Sequence, residues 1–349
     1  MQLRALTIDA HGGLEQLRYR EDVATPELTG SGSVRVRLHT AALNRLDLFT
    51  LGGLPGVTIT PPWVMGADGM GVIEAMDADV RGLALGDRVV INPGISCRGC
   101  EFCARGEHSL CTRFRLLGEH LPGSFAEFVV VPATNVRRIP ASVPDDVAAA
   151  FTLATLTAWR MCVTRAQVKA GDDVLIWGIG GGVAIAALQI CVARGARVWV
   201  TSSSAAKRVR ALALGAHEAL DHTAGDVDRQ VRRLTGRRGV DVVVESVGEK
   251  TWAQSLGSLA RGGRLVTCGG TSGPAISMDV RRLFWHQWSI HGSTMGNDAE
   301  FDAVVAELAA GRLIPPVDSV HALRDGRAAF ARLEEGAQFG KVVLRIGDD

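Results

Sequence analysis

The sequence predicts an α/β protein, in which a doubly wound parallel sheet follows a separate lobe that carries clustered cysteines. Three observations predict it. From Gly171 to Ser204 the chain reads strand, glycine turn, helix, glycine, strand; two later apolar runs, 239–248 and 262–270, are each closed by glycine; and Cys97, Cys100, Cys103 and Cys111 fall within fifteen residues upstream. Length agrees, since 349 residues suffice for about two domains, each with its own core.

The opening stretch MQLRALTIDA alternates as a strand does and lacks the apolar region of a secretory leader, so the expected location is the cytoplasm. Lys plus Arg (38) nearly cancels Asp plus Glu (37), which leaves no net field to recruit nucleic acid or an anionic membrane. The expected partner is a small molecule. The basic run RQVRRLTGRR, 229–238, reads as the solvated face of a surface helix.

The cysteine cluster has the spacing C-x2-C-x2-C-x7-C, by which a short loop wraps a tetrahedral ion. Four thiolates satisfy zinc completely and leave no open position for water or substrate, so the expected metal is structural Zn2+. Disulfides are disfavoured in a reducing compartment, and an iron–sulfur cluster of the ferredoxin type needs a shorter last gap and a following proline, where Thr112 stands. Cys162, Cys191 and Cys268 stand alone in apolar segments and read as small buried hydrophobes.

Val174 to Ala193 runs twenty residues without a charge, a length that could span a bilayer, but its glycines directly after a β-branched run argue for strand, turn and buried helix. Gly178, Gly181 and Gly182 let the backbone approach a pyrophosphate, and the amides that open the helix, including Val183, offer it positive dipole. The spacing Gly178-x-x-Gly181-x-x-Ala184, set between two strands, predicts a dinucleotide site. Where an NAD site ends the second strand on an acid, this chain has Thr201, Ser202, Ser203 and Ser204, with Lys207 and Arg208 one turn on. Hydroxyls and cations suit a 2′-phosphate, so NADP(H) is expected. The same serines would also cap the next helix. After Gly292 the pattern changes to a helix over 300–310 and a last strand, GKVVLRI.

Taken together, the whole chain resembles the medium-chain dehydrogenase/reductase family and looks like its zinc alcohol dehydrogenases and quinone oxidoreductases. The stretches that carry the resemblance are AALNRLDLFTLGG, MGADGMGVI, ALGDRVV, the four cysteines, GSFAEFVVVP, LTAW and GKVVL. It implies a GroES-like β-barrel substrate domain over 1–150 with the zinc lobe at 97–111, a Rossmann domain over 151–293, a tail 294–349 that returns to the first domain, and an active site in the cleft between them. It also implies that Thr157 lies beside the nicotinamide, that Val247 and Gly269 line its ribose and carboxamide, and that Lys341 approaches the phosphates. The apolar stretch WSIHGST resembles the edge at which such Rossmann domains pair, so a homodimer or homotetramer is expected; Trp285 and Trp288 are otherwise core.

The likeness breaks at the catalytic zinc. Asn44, Ala67 followed by Asp68, and Leu153 stand where the alcohol dehydrogenases place their ligands, and Leu46 replaces the hydroxyl that starts their proton relay. A rescue by Asp68 with His120 or His39 is the remaining route to a second metal. Asn44 and Asp47 match the NxxD of zinc-free quinone oxidoreductases, and the resemblance implies Asn44 as hydrogen-bond donor to a developing enolate, with Asp47 orienting the loop; alternatively both cap a turn. The expected activity is NADPH-dependent reduction of activated C=C bonds in quinones, enones or enoyl thioesters, without a catalytic metal. The alternatives are an atypical zinc alcohol or aldehyde dehydrogenase and a non-catalytic NADP(H)-binding protein. The only tyrosine, Tyr19, lies in an N-terminal hairpin, which leaves solvent, Asp47 or His120 as proton source.

Overall fold

The computed structural model of the chain describes residues 2–347 and divides into two compact units. One contains the residues up to Leu156 and those from Gly296 onward; the other is Thr157–Met295.

The first unit is built around the Ser33–Ala42 strand, whose alternating Val34, Val36 and Leu38 are buried. That strand pairs antiparallel with Asp68–Met76, with Phe128–Pro132 and with Lys341–Arg345. The register sets Ala42 opposite both Asp68 and Val343. Three strands far apart in sequence therefore end side by side. The tail is integral to this unit, because the helix Gly326–Glu334 brings Phe330 edge to face with Phe125 at 6.1 Å between ring centres. Leu14–Gln16 and the hairpin Gln2–Ile8/Arg18–Ala24, with Tyr19 on its second strand, complete the same side.

The second unit is one six-stranded parallel sheet. Its strands lie in the order Glu218–Leu220, Arg197–Thr201, Asp173–Ile176, Val240–Glu245, Leu259–Thr267, Ser289–Gly292. Val174 to Ile176, Val198 to Val200 and Val242 to Val244 are buried on both faces, as a helix-covered parallel sheet requires. The strand order reverses beside Asp173–Ile176, and ligands of such sheets bind outside the carboxyl ends at that switch. The uncharged 174–193 stretch resolves into the end of that strand, a turn and the helix Gly182–Ala193; no helix among the described residues is long and apolar enough to cross a membrane.

Several local expectations change in three dimensions. The late helix runs Asp298–Ala309, because Asn297 caps Glu300 N at 2.9 Å and Glu300 returns a bond to Asn297 N at 2.6 Å. The basic run is not uniformly solvated: Arg232 donates to the carbonyls of Gly257, Leu259, Arg237 and Arg238, while Arg229 stands in solvent. Trp288 is core, its Nε1 donating to Ala260 O at 2.8 Å, whereas Trp285 is 66% exposed. Cys162 and Cys191 are buried as expected of small hydrophobes, and Cys268 is half-buried.

Candidate functional site

Cys97, Cys100, Cys103 and Cys111 bring their four sulfurs within 4.8 Å of one another. A tetrahedral zinc with bonds of about 2.3 Å needs sulfurs about 3.8 Å apart, and Cys100 Sγ stands 3.6 Å from Cys103 Sγ. Arg98 at φ +60° makes the tight turn between the first two cysteines. Backbone amides favour thiolate: those of Cys97 and Arg113 donate to Cys111 Sγ at 3.2 and 3.3 Å. Amides of Cys103 and Thr112 hold the Cys100 thiol down to about 5, and that of Gly99 with the Cys111 side chain holds Cys97 at about 7, while burial pushes Cys111 up. The donor set fits zinc and, being complete, would leave such an ion no open position for water or substrate. The lobe is tied to the start of the Asp298–Ala309 helix, where Asp298 pairs with Arg98 and its amide donates to His108 Nδ1.

The second feature of this unit was not expected in its observed form. At the shared strand ends, Lys341 Nζ donates to Asp68 Oδ2 at 2.9 Å and to Asn44 Oδ1 at 2.5 Å. Asn44 Nδ2 donates to the same Asp68 oxygen at 2.9 Å; the other oxygen, Asp68 Oδ1, accepts from Thr152 Oγ1 at 2.5 Å and from Leu153 N at 2.7 Å. Every lone pair of a fully buried carboxylate is thus engaged. Lys341 is only 3% exposed. The resemblance did not imply this pairing: the ammonium is held by Asn44 and Asp68 because its strand starts beside theirs.

These residues also account for the three broken ligand slots. Asn44 and Asp68 are held by an ammonium, and Leu153 contributes a backbone amide. Among the described residues, the cysteine quartet is the one group of three or more His, Cys, Asp or Glu placed to hold an ion, so Asp68, His120 and His39 form no second set. His39 pairs instead with Asp145 at 2.9 Å, and His120 Nδ1 accepts from Leu116 N at 3.3 Å.

Asn44 and Asp47 do cap a turn: the Asp47 carboxylate accepts from Asn44 N at 2.6 Å at the start of the helix Arg45–Gly52. One amide hydrogen of Asn44 is fixed on Asp68 and the other rests only loosely on Ala42 O, at 3.4 Å. Burial pushes the Asp47 carboxyl up to about 7, against the lowering effects of the Asn44 amide and Lys341. A carboxyl whose folded value exceeds its unfolded one costs nothing below the unfolded value and progressively destabilises the fold as pH rises to the folded one. Asp47→Asn keeps the cap acceptor and removes that cost. Relative to wild type, the variant is therefore expected to gain stability as pH rises from about 4 to about 7, reaching on the order of 4 kcal/mol. Urea midpoints of both proteins across that range test it, and parallel profiles would refute it.

In the second unit, Gly178 (φ +67°) and Gly180 (φ +133°) shape the turn that leads into the helix Gly182–Ala193. Gly181 instead has an ordinary backbone, and a Cβ there would meet nothing within 4 Å, so its value lies in the open cradle beside the helix start. No side chain caps this helix, and the half-exposed Gly182 and Val183 present its first amides. That cradle fits the pyrophosphate of a dinucleotide. Thr201 Oγ1 accepts from Gly178 N at 3.0 Å and is wholly buried, so it shapes the turn and cannot reach a ribose.

The loop after Thr201 is clasped by Arg208, which donates to the carbonyls of Ser202 and Ser203 at 2.7 and 3.1 Å and pairs with Asp221 at 2.9 Å. Ser204 caps the helix through Lys207 N, Ser202 Oγ accepts from Ser204 N, and Ser203 faces solvent. Val247 borders the turn, its Cγ2 3.9 Å from where a Gly178 Cβ would be, and Gly269 is exposed two residues past the Leu259–Thr267 strand. Thr157 is buried and donates to Met295 Sδ at 3.7 Å.

Residues 30–141 match the family described as alcohol dehydrogenase GroES-like domain, and residues 182–310 match that described as zinc-binding dehydrogenase. A zinc-type alcohol dehydrogenase-like protein of Schizosaccharomyces pombe is 32% identical over 357 residues, spanning 99% of this chain and all of its own length. Human quinone oxidoreductase is 27% identical over 351 residues, covering 99% of this chain and 98% of its own. A solved structure named NAD-dependent alcohol dehydrogenase superposes with a TM-score of 0.94 at 42% identity, over 99% of this chain and 100% of that one. A GroES-like domain and a Rossmann sheet with an open phosphate cradle in one chain thus have full-length counterparts, and the chain is an NAD(P)-dependent oxidoreductase that belongs to the medium-chain dehydrogenase/reductase family.

Proposed function

We propose that this oxidoreductase reduces activated C=C bonds of quinones, enones or enoyl thioesters with NADPH, and uses no catalytic metal. The observation that carries this reading is the Lys341–Asp68–Asn44 cluster: Asn44 and Asp68, at two of the positions that resemblance assigns to zinc ligands, are bonded to each other and to the Lys341 ammonium. Without a Lewis acid, an alkoxide is poorly stabilised and simple alcohol oxidation is disfavoured, whereas a delocalised enolate needs only hydrogen bonds. The likeness to human quinone oxidoreductase supports the same choice.

A bound dihydronicotinamide supplies the hydride, to the β-carbon of the double bond. Two donors of the protein remain for the substrate oxygen: the loosely held second amide hydrogen of Asn44, and the third hydrogen of the Lys341 ammonium, two of which go to Asn44 and Asp68. Asp47, with its carboxyl raised to about 7, is the proposed proton reservoir for the α-carbon near neutral pH. NADPH preference rests on the exposed Ser203, the nearby Lys207 and the absence of an acid closing the Arg197–Thr201 strand.

The experiment is a panel of a quinone, an enone, an enoyl thioester and simple alcohols, each with both cofactors. Expected are turnover of at least one activated alkene or quinone, a kcat/KM at least about tenfold higher with NADPH, and reversal of that preference in Ser203→Asp. A second reading, alcohol oxidation, is favoured by the name of the 42% identical structure. Alcohol turnover together with two zinc ions per subunit would establish it and overturn the first.

A further inference from the structure

The second unit holds a buried carboxylate to which no role has been given. Glu245 is the last residue of the Val240–Glu245 strand, next to the switch point, and is 0% exposed. Its Oε1 accepts from Val247 N at 2.6 Å and Gly248 N at 3.2 Å; its Oε2 accepts from Thr251 Oγ1 at 2.9 Å and Ser255 Oγ at 2.6 Å. Four donors meet an acceptor-only group, so a glutamine could not satisfy them all. Two of the donors belong to the loop that follows the strand, and two to the helix Trp252–Ser258 and its leading residue.

The loop so held is joined to the next one. Ser272 donates to Val247 O through both its amide and its hydroxyl at 2.7 Å, Thr271 N donates to Ser246 O at 3.3 Å, and Glu249 N donates to Gly273 O at 3.2 Å. Gly248, at φ +88°, comes so close that a Cβ would lie 2.6 Å from Gly273 O. The Val247 side chain meanwhile abuts the Gly178 turn. One side chain therefore sets the loop carrying Val247, and through it the 268–273 loop carrying Gly269.

We infer that Glu245 is a positioning residue for the nicotinamide half of the cofactor pocket, acting through loops 246–249 and 268–273. The inference rests on the reading that Val247 and Gly269 border the nicotinamide end. The pyrophosphate cradle and the Ser202–Ser203 loop make none of these bonds, and the cradle meets the loop only where the Val247 side chain borders the Gly178 turn, so the adenosine half depends far less on Glu245.

The test measures dissociation constants for the intact cofactor, NADPH or NADH, and for its adenosine half, 2′,5′-ADP or ADP-ribose, in wild type, Glu245→Gln and the milder Ser255→Ala. In Glu245→Gln the intact cofactor is expected to bind about tenfold more weakly and the half-cofactor within about twofold of wild type. Ser255→Ala, which removes a single donor, is expected to follow in the same direction with a smaller loss. Unchanged cofactor affinity in both variants, or an equal loss for cofactor and fragment, would overturn the inference. Should the wild type bind the whole cofactor no better than its adenosine half, the assignment of the nicotinamide end itself fails and takes the inference with it.

Discussion

Lys341→Met is expected to destabilise the protein by about 3–5 kcal/mol and to lower kcat/KM by roughly two orders of magnitude. Methionine matches the lysine stem in volume, so the effect is not a cavity. It strands the Asp68 carboxylate, fully buried, without the cation at 2.9 Å. The control is Lys341→Met combined with Asp68→Asn. An asparagine at 68 keeps an oxygen for Thr152 and Leu153 N, and its amide donates to the Asn44 oxygen once the Asn44 amide turns over, since Asn44 Nδ2 otherwise faces the new nitrogen. Stability should return to within about 1–2 kcal/mol of wild type while activity stays low, because the cation proposed to face the substrate oxygen is still missing. Urea melts and steady-state kinetics on the four proteins of this cycle check both halves. A single variant that loses less than about 1 kcal/mol, or a double variant no more stable than the single, would show that the ion pair does not govern this corner of the fold.

Removal of zinc is the other large effect expected. The protein should carry one zinc per subunit, and Cys103→Ser should carry essentially none, since three thiolates and a neutral hydroxyl no longer close a tetrahedral shell. Structural zinc in small peptides contributes about 10–16 kcal/mol to folding at neutral pH. Even a loss of about 4 kcal/mol in a chain of this size would lower Tm by roughly 5 °C. The loss should spread, because Arg98 and His108 connect the lobe to the start of the Asp298–Ala309 helix. Metal analysis and calorimetry before and after chelation test this. A stripped protein with an unchanged Tm contradicts it, and a second zinc contradicts the proposed metal-free chemistry.

The glycine turn and the cysteine cluster were legible for a common reason: each is made by neighbours along the chain. The four cysteines span fifteen residues, and local turns such as that at Arg98 bring them together. The glycine turn joins a strand directly to a helix, so its φ requirements are written in the residues themselves, although Gly180 rather than Gly181 proved to hold the left-handed position. Glu245 could not be distinguished from any other acid closing a strand, since its four partners become visible only once loop and helix fold over it. One signal for Lys341 does lie in the sequence. The chain has four lysines, at 169, 207, 250 and 341, and otherwise uses arginine, yet places a lysine at the head of an apolar strand.

Residue spacing alone was enough to establish the α/β class, the closed sulfur site and the dinucleotide turn, because each depends on backbone geometry over a few consecutive residues. The family resemblance, and not spacing, implied that the catalytic ligand positions lack metal donors. What replaced them was settled by strand register. Lys341 stands 297 and 273 positions from Asn44 and Asp68, and they meet because antiparallel pairing sets Ala42 between Asp68 and Val343. A shift of one residue along any of the three strands would turn these side chains to the opposite face and leave a buried charge unpaired.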